Sequence, residues 1–498
     1  MVTAPGTGVG VDDGPPLAKP EAHGLPPNVR RVHFVGIGGI GMSGLAVMMS
    51  ALGYEITGSD LTASAVTVGL QERGVEVQTG HDARWVGQAD AVVISAAIRE
   101  ENPEVQEARR RRLPVLQRGV MLAGLSRSRS TVAVTGTHGK STTSSMVAVM
   151  LTECGFDPSA LIGARVGSFG SNARVGQGRH FVVEADESER SLLELTPDIA
   201  VLTNLEEEHL DHYGTLDALR NTIVDFANRV TPSGAVVLCA DDPELALLRD
   251  RVERRVVTYG LDAPGADITG DTVVCGPTGS HCLVRDTRRR NTQPTPLTVA
   301  VPGRHNLLNA LGAFTVGLET GVGPSRVATA LAAYAGIDRR FQLKGDVGGV
   351  RVVDDYAHHP TEIAAVLATA RDQGRHRLIV VFQPHRYSRT ARLLHQFARA
   401  LADADLVVLV EIFPAGEIPL PGVTAERLAQ AVRMETAKPV HCVAAIDEAI
   451  PLVIDLARAG DLVLTLGAGS IGGLANRLVS ALRQAGPAPT EAESSETV

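Results

Sequence analysis

Residues 132–143 read Val-Ala-Val-Thr-Gly-Thr-His-Gly-Lys-Ser-Thr-Thr: a β-branched run, a glycine turn, then a lysine and three hydroxyl residues opening a helical pattern. That order of residue types suits a bound triphosphate. Backbone N–H groups of the turn and helix N-terminus point at phosphate oxygens, the lysine adds a point charge, and a hydroxyl offers itself to Mg2+. Gly136, Thr137, His138, Gly139, Lys140, Ser141 and Thr142 are therefore the candidate nucleotide-binding residues. The spacing is a short form, Gly136-x-x-Gly139-Lys140-Ser141; the longer phosphate loop needs glycine where Val134 stands. Lysine occurs only at positions 19, 140, 344 and 438, so its place in this turn stands out from the composition. In a chain whose habitual cation is arginine, it supplies a compact, mobile charge.

A turn of this kind has to be carried by a strand and a helix, and the same logic recurs along the chain. Arg31-Val-His-Phe-Val reads as a strand entering Gly36-Ile-Gly38-Gly39-Ile-Gly41-Met-Ser-Gly44, followed by an apolar helix over Leu45–Leu52 with Gly53 as its stop. A second strand, Tyr54–Thr57, ends at Gly58-Ser59-Asp60, where a Rossmann domain places its ribose acid, and Ala91–Ser95 points Ser95 into the same crevice. Near the phosphate turn, Phe181-Val-Val-Glu184 is an apolar strand ending in an acid, the arrangement that holds Mg2+. A third module has strand patterns at Val350–Val353, Leu378–Phe382, Leu406–Val410 and Leu462–Leu466, the last running into a second G-x-G-x-x-G at 467–472. Two dinucleotide sites beside a triphosphate site are too many for one chain, so neither glycine motif is read as a nicotinamide site. Strands alternating with helical stretches predict an α/β chain with parallel sheets.

A length of 498 residues fits about three domains. We place the boundaries at 29–128, 129–335 and 336–483, with 1–28 a disordered leader and 484–498 a disordered tail. The net charge of -9 argues against nucleic acid as a partner, and the arginine runs 109–112 and 288–290 are read as solvated faces. The five cysteines have no CxxC pairing, which fits reduced thiols in the cytoplasm better than disulfides or zinc. No apolar run reaches the roughly 18–20 residues of a membrane span.

Eight blocks in order resemble the Mur ligase family, the ATP-dependent amide-forming enzymes of peptidoglycan precursor synthesis. They are His33 through Gly44, Gly136 through Thr143, Glu184-Ala-Asp-Glu-Ser188, Asn204 through Tyr213, Pro302 through Asn309, Arg339-Arg340-Phe, Val353 through Glu362, and Phe382 through Arg389. The first block is similar to the alanine-adding branch. The absence of any lysine between Lys140 and Lys344 agrees, since that branch lacks the carbamylated lysine found in some relatives. The resemblance implies three domains: a Rossmann-like N-terminal domain for a UDP-sugar, a P-loop-type central ATPase domain, and a Rossmann-like C-terminal domain that closes on ATP and amino acid.

It also implies a reaction. ATP would phosphorylate the carboxylate of UDP-N-acetylmuramate, and L-alanine would attack the acyl phosphate. Lys140 and the turn amides would hold phosphates; Ser141, Glu184 and His209 would hold Mg2+, two ions in all. His305 and Asn306 would meet adenine, Asp355 the ribose and Arg340 the γ-phosphate. Tyr356, His358, His385, Arg386 and Arg389 would serve the amino acid and the developing oxyanion. Gly38, Gly39, Ile40, Gly41, Met42, Ser59, Asp60, His81 and Ser95 would contact the UDP-sugar. Asp186 and Glu187 fit exposed loop acids and receive no role. The implied partners are small molecules only, with no nucleic acid and no membrane insertion, for a monomer or homodimer. Glu206-Glu207-Glu208 and Ser95-Ala96-Ala97-Ile98 depart from the family's usual blocks.

Overall fold

The computed structural model describes residues 25–26, 28–187, 191–289, 293–374 and 377–485. Most of the expected leader and tail, and Ser188 to Arg190, lie outside them. The helix Leu474–Ala485 runs slightly past the boundary placed at 483. Three sheets account for the strands. The first has five parallel strands in the order Glu76–Thr79, Glu55–Asp60, Arg31–Val35, Ala91–Ile94, Val115–Gln117. Strand order therefore reverses beside Arg31–Val35, which puts the crevice of a doubly wound sheet at the glycine turn that follows it.

The second sheet has ten strands. At its centre Ser130–Thr135 lies between Ile199–Leu202 and His180–Glu184, all parallel. These strands are buried apolar runs, Val132 to Val134 among them, because helices cover both faces. The helix Lys140–Glu153 is buried from Ser141 through Leu151 although it opens with five hydroxyl residues. Two of its hydroxyls are satisfied within the helix: Ser144 Oγ donates to the Lys140 carbonyl at 2.8 Å and Ser145 Oγ to that of Thr142 at 2.8 Å.

The third sheet has six strands in the order Gln342–Val347, Val350–Asp355, Leu462–Leu466, Leu378–Phe382, Leu406–Val410, Val440–Val443. Only Gln342–Val347 pairs antiparallel. Cores form on both faces, one around Phe382 and Phe397, the other around Ile379 and Leu478.

By contacts the chain divides into two compact units. Of the described residues, one unit comprises those up to 272, 282–298 and 308–335; the other 273–281, 299–307 and those from 336 on. The first sheet and the central strands of the second thus share a unit. Within it Asn172 donates to the Ile40 carbonyl at 2.6 Å, and a Cβ on Gly44 would sit 2.3 Å from Leu161. The helix Ile40–Ala51 needs glycine there to lie against the second sheet. At the expected solvated face Arg288 and Arg289 are exposed, Arg288 pairing with Asp286 at 2.8 Å and Glu319 at 2.7 Å, while Arg290 lies outside the described residues.

Candidate active site

In the first unit the strand Ser130–Thr135 delivers the chain into the phosphate turn, where Gly136 has φ +133 and Gly139 φ +79. Both values are open to glycine and costly for other residues. A Cβ on Gly136 would also lie 2.1 Å from Thr203 Oγ1. Asn204 clamps the turn: its side-chain oxygen accepts from His138 N at 2.7 Å, its amide donates to the His138 carbonyl at 3.0 Å, and its own carbonyl accepts from Thr137 N at 3.1 Å. The amides of Thr137 and His138, expected at phosphates, are thus committed to Asn204. Sequence reasoning placed Asn204 in a family block without giving it this task.

Lys140 folds back over the turn. Its ammonium donates to the carbonyls of Gly136 at 2.7 Å and Thr137 at 3.1 Å, and to Glu187 Oε1 at 2.9 Å. Glu187 is 1% exposed and also lies 3.3 Å from His209 Nε2. The reading of Glu187 as an exposed loop acid is therefore corrected. The strand His180–Glu184 turns it inward, where Lys140 neutralises it. Burial alone would pull the Lys140 pKa down, but Glu187, Asp186 and Glu184 together hold it above the ordinary lysine range.

Glu184 ends its strand as expected. It accepts from Gly163 N at 2.7 Å and from the Ser141 hydroxyl. Burial raises its pKa, against the pull of Lys140, Ser141 and Gly163. Gly163 was not anticipated, yet a Cβ there would meet Glu184 Oε1 at 2.5 Å. His209 holds left-handed backbone, φ 56 and ψ 28, ahead of the short helix Leu210–Tyr213. Such strain in a residue other than glycine is retained where a side chain must be aimed. The Ser141 hydroxyl and the Glu184 carboxylate offer oxygen ligands of the kind a hard divalent cation such as Mg2+ takes, and the His209 imidazole adds a softer donor.

In the first sheet Gly36 takes φ +79 and Gly38 N donates to Asp60 Oδ2 at 2.8 Å, so Asp60 braces the glycine turn. Ser95 Oγ faces that turn, 3.2 Å from where a Gly36 Cβ would be. Ile40 is exposed, whereas the Met42 side chain lies in the core, and Ser59 is wholly buried with its hydroxyl donating to Glu104 at 2.7 Å. The side chains of Met42 and Ser59 therefore face inward, a correction to their expected role as direct contacts. His81 Nδ1 lies 2.7 Å from Glu104 as well.

The second unit gathers another group. Asp355 is 3% exposed and accepts from Phe341 N at 2.6 Å and Ala357 N at 2.7 Å. It thereby holds the turn of Arg339 and Phe341, both at positive φ, that carries Arg340. Burial pushes its carboxyl up to about 6, against Arg340 and the two amides. Arg340 pairs with Glu362 at 3.3 Å and lies over the Tyr356 ring at 5.3 Å. Burial, helped by Arg340, lowers His305 to about 4. The Asn306 amide donates to the Pro302 carbonyl at 2.7 Å, closing its own turn.

Burial also takes His358 down to about 3; its Nδ1 lies 3.0 Å from the Tyr356 carbonyl. The His385 ring stacks on Phe413 and meets Arg389 Nη1 at 3.2 Å. Arg386, at φ +71, starts the helix Tyr387–Arg392. The second G-x-G-x-x-G is filled by this unit's own side chains. The Arg339 guanidinium donates to the Gly467 carbonyl at 2.5 Å, and a Gly472 Cβ would be 2.8 Å from its Cζ.

Three parallel-rich sheets, one ending in a lysine-centred phosphate turn, define a multidomain α/β nucleotide-binding protein. Residues 31–130 match the Mur ligase family catalytic domain, 134–317 the Mur ligase middle domain, and 339–469 the Mur ligase glutamate ligase domain. The chain is 46% identical to a UDP-N-acetylmuramate--L-alanine ligase of Solibacter usitatus, over 92% of this chain and 96% of the relative. It is 46% identical to that of Anaeromyxobacter dehalogenans, over 91% and 98%. Among solved structures, the UDP-N-acetylmuramate-alanine ligase of Thermotoga maritima superposes with a TM-score of 0.78 at 29% identity, covering 91% of this chain and 99% of that one. A murein peptide ligase of Psychrobacter arcticus does so at 0.68 and 25%, with the same coverage. The chain belongs to the Mur ligase family and has its three-domain architecture.

Proposed function

We propose that this chain is an ATP-dependent ligase that joins L-alanine to the carboxylate of UDP-N-acetylmuramate, releasing ADP and phosphate, in peptidoglycan precursor synthesis. The observation that carries the nucleotide chemistry is the convergence of Lys140, Ser141, Glu184, Glu187 and His209 around one turn. The relatives named for the alanine ligase, similar over nine-tenths of the chain, support the substrates.

A carboxylate is a poor electrophile, so it must first become an acyl phosphate. Catalysis of that transfer is mainly positioning and charge neutralisation. Lys140 and the start of the helix Lys140–Glu153 hold the nucleotide phosphates, and Arg340 is assigned to the γ-phosphate. Ser141, Glu184 and His209 are the residues that would hold Mg2+, as two ions, which would supply charge neutralisation for the phosphoryl transfer. His305, Asn306 and Asp355 serve the adenosine. Arg386 and Arg389 receive the amino acid carboxylate, and a histidine of the pair His358 and His385 takes the amine proton. The glycine turn 36–41, with Asp60, His81 and Ser95, takes the UDP-sugar. Functional domains follow the boundaries 29–128, 129–335 and 336–483. Among the described residues no helix is long and apolar enough to cross a membrane, and the assigned setting is the cytoplasm, as a monomer or homodimer.

The test is phosphate release from ATP and Mg2+, with and without UDP-N-acetylmuramate, across a panel of amino acids. Release that requires both UDP-N-acetylmuramate and L-alanine, with matching amide product, is the expected result. A preformed murein peptide as the sole productive acceptor would replace this reading with that of a recycling ligase, to which one solved relative is similar.

A further inference from the structure

Buried in the first sheet's crevice is a carboxylate that none of the ligase chemistry uses. Glu104 stands in the first turn of the helix Pro103–Arg110, its amide capped by Asn102 at 2.9 Å, and its side chain is 0% exposed. Three side chains converge on it. His33 Nε2 lies 2.6 Å from Oε2, Ser59 Oγ donates to Oε2 at 2.7 Å, and His81 Nδ1 lies 2.7 Å from Oε1. Burying a carboxylate is costly, and an apolar side chain would fill the same space without that cost. Burial pushes the Glu104 pKa up, but hydrogen bonds from His33, Ser59 and His81 outweigh it and hold the group below its usual range.

Glu104 is therefore ionised and can only accept hydrogen bonds. His33 Nε2 and His81 Nδ1 must each carry a proton toward it. The His33 end of the network closes inside the protein, since His33 Nδ1 meets Thr57 Oγ1 at 2.8 Å. The other end opens. The His33, Ser59 and Glu104 side chains are at most 1% exposed, while that of His81 is 13% exposed. Ser59 links the same carboxylate to the glycine turn, because its carbonyl accepts from Gly36 N at 2.8 Å and Ile37 N at 2.9 Å.

We propose that Glu104 is a positioning residue for the nucleotide-sugar site, fixing the His81 tautomer and the Gly36–Ile37 turn through one buried carboxylate. With Nδ1–H given to Glu104, His81 keeps Nε2 for a ligand in the crevice. The order of the turn and the orientation of the ring are then set before the ligand arrives, which lowers the ordering cost of binding. The proposal rests on reading this crevice as the UDP-sugar site.

The experiment is steady-state kinetics on the full chain carrying Glu104→Gln, His81→Ala, or both. Glutamine keeps the size but sets an NH2 against one of three donors. The expected result for Glu104→Gln is a KM for UDP-N-acetylmuramate raised about tenfold, with kcat and the KM for ATP within about twofold. Glu104→Gln should cost less when added to His81→Ala than when added to the unaltered chain, the remainder reporting the turn. Equal penalties from Glu104→Gln with and without His81, or no KM change in either single variant, would overturn the proposal. A second measurement needs no variant: the nitrogen NMR signals of His81 in the unaltered protein should report a proton on Nδ1. A neutral ring protonated only on Nε2 would overturn it. That arm stays informative even if UDP-N-acetylmuramate proves not to be the substrate, which the unaltered chain's turnover decides separately.

Discussion

The Lys140 ammonium lies 2.8 Å from Glu187 Oε2 and 2.9 Å from Oε1, a buried ion pair joining residues 47 positions apart. The pair keeps the lysine folded over its own turn, and His209 shares the same carboxylate. Glu187 therefore both neutralises the lysine and sets its direction.

Replacing Lys140 by Ala should cut turnover at least about 100-fold, the scale of a lost transition-state charge contact. Arginine should not restore it, because a planar fork cannot take the place of a point charge held by two carbonyls. Glu187→Ala should destabilise the protein by about 3 kcal/mol, since it strips a buried cation of its hydrogen-bonded counter-charge. Chemical denaturation without nucleotide reads that loss; an unchanged midpoint would show that Asp186 and Glu184 suffice.

Gly163→Ala should act on the chemistry through Glu184. The added methyl would meet a carboxylate oxygen at 2.5 Å and displace it from Ser141. We expect kcat to fall by about tenfold or more with the fold intact, and the Mg2+ concentration for half-maximal rate to rise. A magnesium titration of the rate checks both.

His209→Asn separates aim from ligation. Asparagine tolerates left-handed backbone, so the strained turn should survive while the imidazole is lost. The expected outcome is a weakened Mg2+ requirement curve, shifted about tenfold to higher metal, with melting within a few degrees of the unaltered chain. Chelation should abolish turnover of the unaltered protein, and added Mg2+ should restore it.

Acid should weaken the unit holding the third sheet. His305 and His358 fall to about 4 and about 3 when folded, below the usual histidine value of about 6.5. The unfolded chain then binds protons that the folded chain refuses. Stability is complete above about pH 6.5 and is lost as pH drops toward 4, on the order of 2 kcal/mol per histidine at pH 5. Asp355 works the other way: raised to about 6, it favours the folded state at low pH and loses that contribution as pH rises through 6. Denaturation at several pH values should show a slope between pH 4 and 6.5 that His305→Asn makes shallower.

Much of the architecture was legible because its signals are local. Val132 to Thr135 is β-branched and apolar, Gly136 and Gly139 mark a turn that needs positive φ, and Lys140 with Ser141 follow within one helical turn. Each fits in a window of a dozen residues, where backbone sterics and side-chain type decide the outcome. The first glycine motif was legible for the same reason, whereas the second needed the tertiary structure, because the residue filling it is Arg339, 128 positions from Gly467.

Glu187, Gly163, Asn204 and Glu104 were invisible as functional residues for one physical reason. Their roles depend on partners brought close by sheet order. Gly163 matters only because parallel strands set it against Glu184, and Asn204 only because Ile199–Leu202 lies beside Ser130–Thr135. Ser59 and Met42 were misjudged because period-2 and helical patterns do not say which polar group will find a buried acceptor. The sequence by itself determined the α/β class, the phosphate turn and the family blocks. The tertiary structure alone decided which acids are buried against which cations, since that choice belongs to long-range packing and desolvation, not to any short stretch of chain.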